Sequence, residues 1–296
     1  FLHRDCWVLL TSTPNPARTD PVKTANSPIV NVDNVIDLYY IYIIIYMNDL
    51  KIYPIKPDGT ENRLKREIHP NLPNVANGAC VLCVSPVRSG KSTLISNWLL
   101  SKSFYADIFD YVVIISNTIK NDRTSRFLLE KFPNTCYDRY DDKIITDIIK
   151  YQESFKKSEQ PLFAIVLDDF IGIKNSSIIY KFVSRYRHYN CGLLMMATQN
   201  FKSVPPIVRN NNSHVLLGKI TNMKELEKLS EEYGDSFGGD KNFRRLLSNA
   251  TEGKYNWAYL NFTENPPLMW KNFDESLWGH QSDKPAEYLN DSSDCE

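Results

Sequence analysis

The chain has 296 residues, long for one domain yet within reach of a single α/β core with extensions. Hydrophobic residues make up 42% and charged residues 24%, close to globular averages, which excludes wholesale disorder and predicts a packed core. With 35 basic against 35 acidic residues the formal net charge is zero, so the chain does not coat nucleic acid over its whole surface, and any such contact is local.

Residues 1 to 34 are rich in Pro, Thr and Asn and lack helical or strand periodicity, so they read as unstructured. The apolar run LYYIYIIIYM at 38 to 47 falls well short of the ~20 residues that span a bilayer, and no small-residue cleavage site follows it. No membrane partner is expected. A more ordinary sequence opens at Met47, which predicts a natural start there, with 1–46 a non-native or disordered extension and 47–76 a lead-in. Peptides from before Met47 in the native protein would contradict that start.

From Asn77 short β-rich runs alternate with longer amphipathic stretches, the pattern of an α/β fold with a mainly parallel sheet flanked by helices. Strands are predicted at 80–84, 111–116, 162–167, 192–197 and 213–217. The first, third and fourth are almost wholly apolar, as buried parallel strands are, and should be neighbours. Helical spacing marks 141–157 and 176–189; in the second, Ile179, Phe182, Val183 and Tyr186 share one face. The domain is predicted over 77–275, followed by an acidic flexible tail at 276–296. The six cysteines are scattered, and the close pair Cys80 and Cys83 lies in a strand-like run without a second pair at ligand spacing. Buried reduced thiols are the expectation, which favours an intracellular compartment.

The sharpest chemical signal is SPVRSGKST at 85 to 93, which follows a strand and leads into the amphipathic run TLISNWLL. A phosphate-binding loop needs converging backbone N–H groups, a helix N-terminus facing the anion, a Lys for the β and γ oxygens and a hydroxyl for Mg²⁺. Ser85, Arg88, Ser89, Gly90, Lys91, Ser92 and Thr93 form the expected cradle for ATP, with Lys91 on the phosphates and Ser92 on the metal. Ser85 stands where the first glycine of such loops is usual, so the loop entry is expected to be shaped differently.

LFAIVLDD then ends an apolar strand with Asp168 and Asp169, in the position of a Walker B element. Asp168 is expected to hold Mg²⁺ opposite Ser92, and Asp169 to orient or deprotonate the attacking water. MMATQN brings Gln199 to another strand's carboxyl end, where it would either sense the γ-phosphate or brace a loop. From Phe170 through Lys224 there is no Asp or Glu, while Lys174, Lys181, Arg185, Arg187, Lys202, Arg209, Lys219 and Lys224 are basic. This stretch is a solvated face, a DNA contact or a reach toward a neighbouring subunit's phosphate, with Arg209 and Arg187 the candidate arginine fingers.

The order LPNV, SPVRSGKST, FDYVVIISNTIKND, LFAIVLDD, RYRHYNCGLLMMATQNFKSVPPIVRNN and WKNFDE resembles the DNA-packaging ATPases of large DNA viruses and virophages, within the FtsK/HerA superfamily. The resemblance covers about residues 70 to 275 and implies a RecA-like ASCE P-loop core. It further implies a ring of identical subunits threading double-stranded DNA into a capsid, with capsid or portal-vertex proteins as partners and the host cytoplasm, at viral assembly sites, or the virion as the place of work. Asp169 departs from the Glu of many relatives, which bears on turnover more than on binding. A small-molecule kinase and a nucleotide-binding ring scaffold without hydrolysis are the competing functions.

Overall fold

The most apolar segments of the chain become the centre of one sheet in the computed structural model, which describes residues 64–169 and 176–279. The extension 1–46 with its apolar run, most of the lead-in, Lys174 and residues 280–296 lie outside them. All described residues fall in one compact unit.

In chain order the elements are β1 (Ala79–Val84), α1 (Lys91–Leu100), β2 (Tyr111–Ile115), α2 (Arg126–Lys131), β3 (Cys136–Tyr137), α3 (Asp142–Glu153), β4 (Phe163–Leu167) and α4 (Ser177–Arg185). There follow β5 (Cys191–Thr198), α5 (Pro206–Arg209), β6 (His214–Leu217), α6 (Met223–Tyr233), α7 (Asp240–Ala250), β7 (Ala258–Asn261), β8 (Leu268–Lys271) and β9 (Glu275–Trp278). The sheet order is β3-β2-β4-β5-β1-β6-β7-β8-β9. The first six strands run parallel, and β7, β8 and β9 continue as an antiparallel arm.

All five predicted strands form, each within a residue of its expected ends. β1, β4 and β5 are buried throughout and lie side by side, as their composition requires. β5 separates β1, which leads into residues 85–93, from β4, which is followed by Asp168. That inserted strand gives the RecA-like ASCE strand arrangement.

Helices cover both faces. Ile179, Phe182, Val183 and Tyr186 are all buried, so the predicted face of α4 packs as expected. The helix ends earlier than 189: Tyr186–Tyr189 tightens into a 3₁₀ turn and stops at Asn190 in the left-handed conformation. α3 likewise stops at Glu153 rather than 157, where the Ser154 hydroxyl turns back to donate to the Tyr151 carbonyl at 2.7 Å. Cys80 and Cys83 face opposite cores because strand side chains alternate, so they cannot share a metal. Burial pushes both thiols up to about 12, which keeps them protonated.

The expected tail boundary at 275 needs correction. β9 carries the chain to Trp278, which pairs with Met269 of β8 and packs against the core, so residues 276–278 are strand. No described helix is long and apolar enough to cross a membrane.

Candidate nucleotide-binding site

Parallel strands deliver all their carboxyl ends to one edge of the sheet, and backbone bonds hold the departing loops together there. Ser85 N–H donates to the Thr198 carbonyl at 3.0 Å, Asp168 N–H to Ile115 at 2.9 Å and Gly218 N–H to Val84 at 2.9 Å. A cleft of about 680 Å³ opens at this edge, lined by Arg88, Ser89, Gly90, Lys91, Ser92, Thr93, Asp168, Asp169 and Gln199. Sequence reasoning had placed each of these at the site.

Gly90 is the turning point of the loop, with φ 96° and ψ 15° in the left-handed region that favours glycine. α1 starts at the next residue, and its first turn carries no acidic side chain of its own, so the positive end of the helix faces the cleft. The Lys91 ammonium turns back and donates to the Ser85 carbonyl of its own loop at 3.0 Å. Ser89 donates to the Pro86 carbonyl at 2.7 Å, and the Ser85 and Ser89 hydroxyls are hydrogen bonded to each other.

Ser85 is fully buried and not in the left-handed region, so nothing in its backbone calls for glycine. The close approach has moved to the neighbouring strand instead: a methyl group on Gly218 would lie 2.5 Å from Ser85 Cβ. The loop entry therefore keeps its path with a serine because β6 leaves room for it.

Asp168 is mostly buried. The Ser116 hydroxyl donates to its Oδ2 at 2.9 Å and the Asp169 amide to its Oδ1 at 3.1 Å. Burial and then the charge of Asp169 raise its carboxyl above the ordinary value, partly offset by Ser116 and Lys91. Asp169 has φ 55°, and Gln199 Nε2 donates to its Oδ1 at 3.3 Å, so the two residues expected to handle water and γ-phosphate are in contact.

Two further side chains surround the acids: Asp122 lines the cleft, and Ser116 is buried behind Asp168. Ser116 follows β2, and the β2–β4 register puts it beside Asp168. Asp122 accepts from the Thr124 amide at 2.9 Å and the Ser125 hydroxyl at 3.2 Å. Burial raises its carboxyl, but hydrogen bonds from Thr124, Ser92 and Ser125 outweigh that and hold it below the ordinary carboxylate range. Both belong to SNTIKND, a segment the sequence singled out without assigning it a role. Tyr255, from the loop between α7 and β7, also lines the cleft, and nothing in the sequence marked it.

The candidate fingers do not gather here. Arg187 lies beside Gly78 at the opposite, amino edge of β1, its guanidinium 5.5 Å over the Tyr186 ring. Arg209 on α5 donates to Glu232 at 2.7 Å and lies 5.5 Å over Phe201. The basic stretch is thus divided: Arg209 is neutralised by α6, while Lys181, Arg185, Arg187 and His188 remain exposed.

Among the described residues no three His, Cys, Asp or Glu side chains converge as a metal site. Ser92 and Asp168 both line the cleft and offer one hydroxyl and one carboxylate, which suits Mg²⁺, an ion that takes few protein ligands and completes its shell with phosphate oxygens and water.

No family model matches the chain. A protein of Invertebrate iridescent virus 6, uncharacterized protein 075L, is 26% identical over 220 residues, covering 72% of this chain and 81% of that one. Among solved structures, the genome-packaging NTPase B204 of Sulfolobus turreted icosahedral virus 2, in complex with sulfate, aligns with a TM-score of 0.48 at 17% identity, over 67% of this chain and 98% of that one. The pCW3 conjugation coupling protein TcpA, with ATPγS, aligns at 0.42 and 13% identity, over 68% and 59%.

Proposed function

We propose that the chain is an ATPase, and that it serves as the motor subunit of a ring that drives double-stranded DNA into a viral capsid. The observation that carries the enzymatic part is the meeting of Lys91, Ser92, Asp168, Asp169 and Gln199 in one cleft at the carboxyl edge of the sheet. The α1 N-terminus and Lys91 hold the β and γ phosphates. Bound Mg²⁺ supplies charge neutralisation on the phosphate oxygens, and Ser92 and Asp168 are the residues that would hold it. Asp169, oriented by Gln199, takes the position from which a carboxylate aligns the attacking water and accepts its proton.

The motor part rests on the sequence resemblance and on the exposed cations Lys181, Arg185, Arg187 and His188, in a stretch that holds no acid from 170 to 224. Arg187 suits the role of trans-acting finger better than Arg209, which already has a carboxylate partner. Capsid or portal proteins complete the assembly in this reading.

Phosphate release tests it, measured on wild type, Lys91→Ala and Asp169→Asn with and without duplex DNA. Slow release by wild type alone, stimulated by DNA and lost in both variants, is the expected result. Release that ignores DNA contradicts the motor, and no release under any condition contradicts the enzyme in favour of a nucleotide-binding scaffold.

A further inference from the structure

Tyr255 is the sole aromatic side chain among the described residues lining the cleft. It is 67% exposed, so its ring surface is left to solvent rather than buried in a core. Its backbone is in the left-handed region at φ 63°, an uncommon conformation for a bulky residue that persists only where the surroundings impose it. The surroundings do so from both sides. Thr251 is buried and donates to the Leu247 carbonyl at 2.8 Å, tying the loop to α7. Trp257 is buried, and its N–H donates to Asn272 Oδ1 at 3.2 Å, tying the loop to the turn that follows β8. The ring therefore reaches the cleft from a loop fixed at each end. A methyl group on Gly90 would lie 3.1 Å from Tyr255 Cδ1, so the ring edge meets the phosphate cradle directly.

We infer that Tyr255 is the base-stacking residue of this site, presenting its ring face to the nucleobase of a nucleoside triphosphate whose phosphates lie on the α1 N-terminus. The inference rests on the nucleotide-binding reading of the cleft. A flat, exposed π-surface beside a phosphate cradle suits a ligand that joins a planar ring to a polyanion. Stacking is worth about 1–3 kcal/mol per base and tolerates every base, because each has a π-face. Purines offer more overlap than pyrimidines, so the site ranks triphosphates by ring size more than by hydrogen-bonding edge.

The test is calorimetric titration of the full chain, with magnesium present, using ATP, GTP, CTP, UTP and inorganic tripolyphosphate. Wild type, Tyr255→Phe, Tyr255→Ala and Tyr255→Asn are compared, asparagine being at home in left-handed backbone. The expected result is purine triphosphates bound more tightly than pyrimidine ones by wild type and Tyr255→Phe. In Tyr255→Ala and Tyr255→Asn, ATP affinity falls about tenfold, within the range of one lost stack, the spread among bases collapses, and tripolyphosphate binding is unchanged. Equal losses for ATP and tripolyphosphate overturn the inference, since the ring would then only shape the loop. Full ATP affinity and an intact spread in both variants overturn it while leaving the phosphate site standing. A wild-type chain that binds neither ATP nor tripolyphosphate overturns this inference together with the reading beneath it.

Discussion

Asp168 directly follows a buried strand with a second carboxylate next to it, an arrangement that costs stability where no cation offsets it. Its carboxyl is raised above the ordinary 3.8 by burial first and by Asp169 second. Between 3.8 and the raised value the folded chain keeps a proton that the unfolded chain has lost. Unfolding there releases a proton, so stability falls as pH rises through the window and stays lowered above it. Asp168→Asn removes this penalty. The nucleotide-free variant should melt roughly 2–4 °C above wild type at pH 7, the shift that about 1 kcal/mol produces in a domain of this size. The gain should shrink toward pH 4, as thermal unfolding across a pH series would report. An Asn variant no more stable than wild type at pH 7 contradicts the strained-site account. Asp168, Lys91 and Ser92 were legible in the sequence because the proposed phosphate and metal site demands fixed residue types beside a strand and a helix. Ser116 and Asp122 were not assigned, since a serine or aspartate in a polar loop has many ordinary uses and only the β2–β4 register brings Ser116 to Asp168.

At the scale of elements, the phosphate loop depends on β6 as much as on its own sequence. Gly218 leaves the space that Ser85 fills, with only 2.5 Å to a hypothetical methyl group. Gly218→Ala should lose about 1–3 kcal/mol of stability, the usual cost of overpacking, and weaken nucleotide binding with it. Adding Ser85→Gly in the same chain should recover most of both losses, a coupling that a double-mutant cycle in denaturant reads directly. Losses that Ser85→Gly leaves untouched contradict the contact. The predicted strands came out within a residue because apolar runs such as LFAIVL and GLLMMA have no other place than a central sheet. The strands β7, β8 and β9 escaped notice: each is four residues long and mixes polar with aromatic side chains, so no clean alternation marks it. Helices α6 and α7 escaped for a related reason, carrying mostly polar residues around a narrow buried stripe of Leu229 and Tyr233 in one and Phe243, Leu246 and Leu247 in the other.

For the whole molecule, one sheet direction decides where the candidate site lies. The carboxyl edge gathers phosphate loop, acids and Gln199, while Arg187 lies at the amino edge, where it can act only on something outside its own cleft. The antiparallel arm extends the same sheet and fixes one end of the loop that brings Tyr255 over Gly90. Parallel core and antiparallel arm thus build one cleft between them. The most direct measurement is calorimetric binding of ATP to the intact chain and to Lys91→Ala, each with magnesium and with the metal chelated. One site per chain, weakened by chelation and lost in Lys91→Ala, is the predicted result. Equal binding by the two proteins, or none by wild type, would contradict a phosphate site built on the Gly90 turn.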